Sequence, residues 1–352
     1  WGYRVEEGLG GTGVVGQLTR GAGTRQLGLR ADMDALPIEE KTGKAYASCN
    51  HGVMHACGHD GHTAMLLAAA KYLAERGQFC GTLNLIFQPA EEGLGGAVRM
   101  IEEGLFEKYP CDAVFATHNA PGVPQGHLAF RDGPTMASSD RVSIILNGVG
   151  GHGAMPHKAV DPVVAAASIV MALQTVVSRN IDPSQLAVVT VGVLNAGTTN
   201  NVIPSSARME LTVRALDPAV RDTLENRITA IVRAQAESFG VEADIQYKRG
   251  YSVLVNSRRE TDFARQVALD LLGPDKVILQ GPALSGSEDF AFMLEKRPGS
   301  YFFIGNGFGE AGAICQVHNP GYDFNDANLG VGSAFWVNLA ERFLQDGAAV
   351  AA

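Results

Sequence analysis

Through the first third of the chain, short apolar runs alternate with longer amphipathic ones. Residues 27–31, 82–87 and 113–117 read as strands, and residues 63–76 and 97–103 as helices. Such alternation predicts an α/β sheet covered by helices. The middle of the chain has a different rhythm. A strand pattern at 141–146 is followed by Asp161-Pro162, an N-capping side chain before a proline suited to the first helical position. A helix is predicted from there to residue 179, with Val163, Ala166, Val170, Leu173 and Val177 on one face. Strands at 186–194 and 207–213, a helix at 218–239 and a strand at 242–247 complete a β-α-β-β-α-β order, the ferredoxin-like pattern. A second α/β portion closes the chain, with a strand at 301–304 and a helix at 334–345. The economical reading is an α/β catalytic domain, residues 1–137 and 251–352, interrupted by an inserted ferredoxin-like lid domain at 138–250.

At 352 residues, two domains are more natural than one core. A hydrophobic content of 46% and a charged content of 18% describe an ordinary globular chain. The net charge of −9 argues against a nucleic-acid or anionic-membrane partner. No apolar run is expected to span a bilayer, because the candidate at 163–173 is interrupted by Ser168 and ends at Gln174. Five scattered cysteines suggest no disulfide framework, so a cytoplasmic location is expected. The chain opens at Trp1 in a running segment with no signal features, and an N-terminal portion is expected to precede it.

The chemistry gathers at the ends of the first strands. Asp32 and Asp34 follow the first, Glu91 and Glu92 the second, and His118 the third. Ligands in open α/β sheets bind beyond the carboxyl ends of the strands, so one crevice is predicted to hold these groups. Residues 55–62, His-Ala-Cys-Gly-His-Asp-Gly-His, add Cys57 and His59, and His318 follows a later strand. Imidazole, thiolate and carboxylate together suit a borderline-soft divalent metal. Of the paired acids after Gln88-Pro89, one can ligate while its neighbour accepts a proton. Cys57 has a rival role as a nucleophile with His59 or His62 as its base, but no oxyanion turn is visible beside it. A non-catalytic assembly protein is the other rival. Two Gly-x-Gly-x-x-Gly strings, at Gly8 and at Gly148, lack the strand–turn–helix context of a dinucleotide site. Small residues around His152 leave room for a ligand, and this imidazole could donate to a developing oxyanion. Asn201 supplies an amide, and Arg214 a guanidinium suited to a carboxylate.

Eight strings occur in one order along almost the whole chain: Ala31-Asp-Met-Asp-Ala-Leu-Pro37, His55-Ala-Cys-Gly-His-Asp-Gly-His62, Gln88-Pro-Ala-Glu-Glu92, Thr117-His-Asn119, Gly151-His-Gly-Ala-Met-Pro-His157, Asn201-Val-Ile-Pro204, Ser287-Glu-Asp-Phe290 and His318-Asn-Pro320. With them the chain resembles the aminoacylase and carboxypeptidase family of dinuclear metallohydrolases. The resemblance is closest to the branch of hippurate hydrolases, N-acyl-amino-acid amidohydrolases and auxin-conjugate hydrolases. It implies a zinc-peptidase-like α/β domain with an inserted lid that pairs two subunits. It also implies two divalent ions (zinc, manganese, cobalt or nickel) held by Cys57, His59, Glu92, His118 and His318. Glu91 becomes the general base, Asp34 orients a ligand imidazole, and His152 polarises the scissile carbonyl, in many relatives from the partner subunit. Asn201 and Arg214 would bind the substrate's amide or carboxylate. The implied reaction is hydrolysis of a small N-acyl amino acid, with a dipeptidase or a deacylase of biosynthetic intermediates as the alternative. One departure is that the family's N-terminal helix has no counterpart before Trp1.

Overall fold

The computed structural model describes residues 1–345, and the alanine-rich last five residues lie outside that range. Two compact units form. Residues 1–133, 255–282 and 289–345 make up the first, and residues 134–254 with 283–288 the second. The segment 283–288 therefore groups with the second unit, although the sequence reading keeps it in the first.

The first unit is built on a mixed sheet of eight strands. Its centre is parallel: Gly81–Gln88, Gln26–Asp32, Ala113–Pro121 and Gly299–Gly307 lie side by side. Strands buried on both faces read as continuous apolar runs, which is why these four were visible in the sequence. Leu29, Leu85, Phe115 and Phe302 are buried in a core shared with the helices His59–Glu75, Arg258–Leu272 and Asn328–Phe343. The helix Arg258–Leu272 went unread because its sequence is rich in charge.

An antiparallel hairpin, Arg4–Leu9 with Gly13–Arg20, extends one edge of the sheet. The first glycine string is its turn. The Gly11 amide donates to Gly8 O at 3.0 Å, and Gly10 and Gly11 adopt φ of 68° and 100°, which only glycine takes readily.

In the second unit, the strands Asp140–Asn147, Ala187–Ala196, Ser206–Ala215 and Glu242–Arg249 form an antiparallel sheet. The order is 187–196, 206–215, 140–147, 242–249. Helices Pro162–Asn180 and Pro218–Ser238 pack on it, each opened by an aspartate that caps it and a proline at the first position. The first of these helices is, by length and composition, apolar enough to cross a bilayer, contrary to the sequence reading. Its inner face is committed instead to the sheet core through Ala165, Ala166, Ile169, Leu173 and Val176. The buried stripe is rotated from the one expected, and Val163 is exposed. A helix apolar on most sides does not declare its inner face.

Where this sheet begins, Asp140 is fully buried and accepts from the Arg221 guanidinium, the Tyr247 hydroxyl at 3.0 Å and the Gly250 amide at 3.1 Å. Removing one partner of a buried ion pair strands the other, at a cost of roughly 3–5 kcal/mol. Arg221→Met is therefore expected to destabilise the second unit by about that amount in a denaturant titration. An unchanged midpoint would show that Asp140 is held by its other partners alone.

Candidate metal centre

The parallel strands deliver their carboxyl ends to one edge of the first unit. Asp32 is the last residue of Gln26–Asp32, and Asp34 lies just beyond it. Gln88 ends the neighbouring strand, and Pro89-Ala90 turns the chain so that Glu91 and Glu92 follow. Ala90 makes that turn with φ of 56°, a conformation costly for a residue with a side chain. His118 is inside the strand Ala113–Pro121, whereas the sequence placed it after the strand. His318 itself takes φ of 65° in a loop, its amide donating to Ala56 O at 2.7 Å.

The helix expected from residue 63 starts at His59, one turn earlier. Glycine and aspartate in that turn give little helical preference. Tertiary bonds supply what propensity does not. His59 Nδ1 donates to Asp34 Oδ1 at 3.2 Å, and His62 Nδ1 to Asp32 Oδ1 at 2.6 Å. Gly58 caps the helix at φ of 85°, and a Cβ there would stand 2.3 Å from Asn119 Oδ1. No larger residue fits between Cys57 and His59.

Five donor atoms converge. Cys57 Sγ lies 3.3 Å from His118 Nε2, and His318 Nε2 lies 3.0 Å from Glu92 Oε1. Cys57, His59 and His118 form one group whose ligand atoms lie within 4.8 Å of one another; Cys57, Glu92 and His318 form another. Cys57 belongs to both. Glu91 joins His59 and Glu92 in a third group and is buried. Two of the three imidazoles are oriented by a bond at the other nitrogen: His59 by Asp34, and His118 by donation from Nδ1 to Asn119 O at 2.7 Å. Asp34 also accepts the Glu92 amide at 2.9 Å, tying the two acidic loops together.

The charge state of these groups fits a cation. Burial opposes charge on His59, but Asp32, Asp34 and Glu92 hold its pKa up at about 9. Burial and the neighbouring imidazoles pull His118 down to about 3, leaving it a neutral donor. Burial, and then Glu92, Asp32 and Glu91, push the Cys57 thiol far above its ordinary range. Burial and those carboxylates keep Cys57 a thiol, which is a poor nucleophile. His59 Nε2 is buried without a hydrogen-bond partner. A thiol, three imidazoles and a carboxylate around an orphaned ring nitrogen fit a borderline divalent metal.

Beside the cluster a cavity of about 650 Å³ is lined by Thr12, Met33, Leu36, Pro37, Ala90 and Leu94, with Asp34 and Glu92 on its wall. Its size is that of a small-molecule site.

The remaining expected site residues lie in the second unit. His152 and Asn201 come together there: the strands Gly151–His152 and Val202–Ile203 pair, and Gly153 N donates to Asn201 O at 2.8 Å. The Ala154 amide donates to His152 Nδ1 at 3.0 Å, so the proton of the neutral ring is on the exposed Nε2. Arg214 Nη1 donates within its own strand, to Thr212 Oγ1 at 2.7 Å and to Val213 O at 3.2 Å. Sequence reasoning left out Arg30, Gln88, Asn119, Asp289 and Tyr322, all buried beneath the cluster. The available signal was Arg30, a lone charge in an otherwise apolar strand.

A family model described as peptidase family M20/M25/M40 matches residues 28–342. Hippurate hydrolase of Campylobacter jejuni is 45% identical over 98% of this chain and 88% of its own length. N-acetyl-L-cysteine deacetylase of Bacillus subtilis is 40% identical over 95% of this chain and 78% of its own length. The crystal structure of a dinuclear metal-binding peptidase of the M20 family from Bacillus subtilis matches with a TM-score of 0.82 and 32% identity. It covers 97% of this chain and 88% of that one. Matched from residue 28 to residue 342 and by these relatives along nearly its whole length, the chain belongs to peptidase family M20/M25/M40.

Proposed function

We propose that this protein is a metal-dependent amidohydrolase that cleaves N-acyl amino acids to a carboxylic acid and a free amino acid. The observation that carries the reading is the convergence of Cys57, His59, Glu92, His118 and His318 beside the buried carboxylate of Glu91. The five would hold two divalent ions, and Cys57 belongs to two of the candidate groups. Bound divalent ions lower the pKa of water from 15.7 toward roughly 7 and polarise a carbonyl oxygen. Glu91 accepts the proton of the attacking water and returns it to the leaving amine. Asp34 keeps His59 in the tautomer that presents Nε2. His152 donates from Nε2 to the developing oxyanion, and Asn201 and Arg214 receive the polar end of the substrate.

The cavity beside Asp34 and Glu92 is walled by Met33, Leu36, Pro37 and Leu94, which suits an apolar or aromatic acyl group. The thiol-hydrolase reading loses its footing in the raised pKa of Cys57. A cytoplasmic location agrees with five free cysteines and with a thiolate ligand that oxidation would destroy.

The second unit is read as a ferredoxin-like lid that also pairs two subunits. Its strand Ala187–Ala196 forms an edge of the sheet, with Leu194 exposed. On the neighbouring helix, Val164 and Met171 are exposed as well. An open edge beside apolar side chains suits a second copy. Light scattering is expected to give twice the 37.2 kDa chain mass, and Met171→Glu with Leu194→Asp to shift it toward the monomer. A wild-type monomer would contradict the dimer.

Glu91→Gln tests the base directly. The variant is expected to keep its full metal content while turnover of benzoylglycine falls by about 10²–10⁴-fold. Wild-type turnover in a fully loaded variant would remove Glu91 from that role.

A further inference from the structure

Two further trios of side chains meet the distance requirement for a metal, and one of them includes His59. Asp32, His59 and His62 are fully buried, with candidate ligand atoms within 4.8 Å of one another. Their hydrogen bonds decide what they do. His62 Nε2 accepts from the backbone amide of Asn119 at 3.0 Å, and a backbone amide can only donate. The same nitrogen lies 2.9 Å from Asn119 Oδ1, and Nδ1 donates to Asp32 Oδ1 at 2.6 Å. Both nitrogens of His62 are committed. Asp32 Oδ2 accepts from Arg30 Nη1 at 2.7 Å. The nitrogen left without a partner is His59 Nε2, 3.8 Å from that same oxygen.

Arg30 is itself fixed from several sides. Nε donates to Gln88 Oε1 at 2.9 Å and Nη2 to Asp289 Oδ1 at 3.3 Å, while the guanidinium lies 5.7 Å from the Phe290 ring centre. Asp289 is held in turn by Gln88 Nε2 at 2.7 Å and by the Ala97 amide at 2.9 Å. The string Ser287-Glu-Asp-Phe290, to which the catalytic reading gives no role, thus supplies two groups that seat Arg30.

We propose that Asp32 is a positioning residue: Arg30 and His62 hold its carboxylate beside the metal-binding nitrogen of His59 and withhold it from the metal. It thereby contributes negative charge without becoming a ligand. Arg30 decides the difference. Without the guanidinium, Oδ2 is released next to His59 Nε2 and becomes available to a cation there. This inference rests on the ligand set proposed above.

The test uses full-length protein loaded with Co(II), whose visible bands report the number and kind of ligands. Asp32→Asn is expected to leave band positions and intensities unchanged while Co(II) binds roughly 10–100-fold more weakly, the usual effect of losing an outer partner. Arg30→Met is expected to change the bands by adding an oxygen ligand, and the double variant Arg30→Met/Asp32→Asn to restore them. Arg30→Lys keeps a cation beside Oδ2 and is expected to leave the bands unchanged, so it carries the test if Asp32→Asn does not fold. Altered bands in Asp32→Asn would make Asp32 a ligand, and unchanged affinity would deny its charge a role. Either result overturns the proposal, as would identical bands in Arg30→Met and Arg30→Lys. Cys57→Ser separates the two readings. A thiolate-to-cobalt band that survives it defeats the ligand set itself, whatever Asp32 does.

Discussion

The structure rests on a set of carboxylates gathered at one edge of the first unit. Asp32, Asp34, Glu91, Glu92 and Asp289 lie at or near the carboxyl ends of the parallel strands and the loops beyond them, with Arg30 the guanidinium beneath them. Burying carboxylates without compensation is expensive, and proteins answer with paired cations, shifted pKa values or metals. All three responses coincide here. Arg30 bridges Asp32 and Asp289, His59 holds a proton up to about pH 9, and the Cys57 thiol keeps its own. A divalent cation held by the proposed ligands would add to this compensation. The loops, the early start of the helix at His59 and the strained turn at Ala90 make sense as the structure needed to aim several donors at one place.

Much of this was legible because the donors come in compact strings. Cys57 and His59 are two residues apart, Glu91 and Glu92 are adjacent, and a proline marks where the strand ends. The four central strands announced themselves as continuous apolar runs. What stayed hidden depends on contacts between distant parts of the chain. Arg30 and Asp289 are 259 residues apart, and nothing local predicts their pairing. The turn at His59–His62 was missed because glycine and aspartate argue against helix, while the bonds that hold it reach back to Asp32 and Asp34. The helix Pro162–Asn180 was recognised with Ala166 and Leu173 correctly inward, but its buried stripe is rotated enough to leave Val163 exposed, since an apolar surface on most sides fixes orientation loosely.

The two units divide the chemistry. The first carries the proposed metal donors and proton acceptor at strand ends, one helix start and the adjoining loops. The second carries His152 and Asn201 on short paired strands, with the imidazole presenting its proton outward.

The measurement that tests this account most directly is hydrolysis of a panel of N-acyl amino acids, including benzoylglycine and N-acetylmethionine, before chelation, after it and after metal readdition. The account predicts release of free amino acid that chelation abolishes and a divalent metal restores. Hydrolysis that survives complete removal of the metal would contradict it.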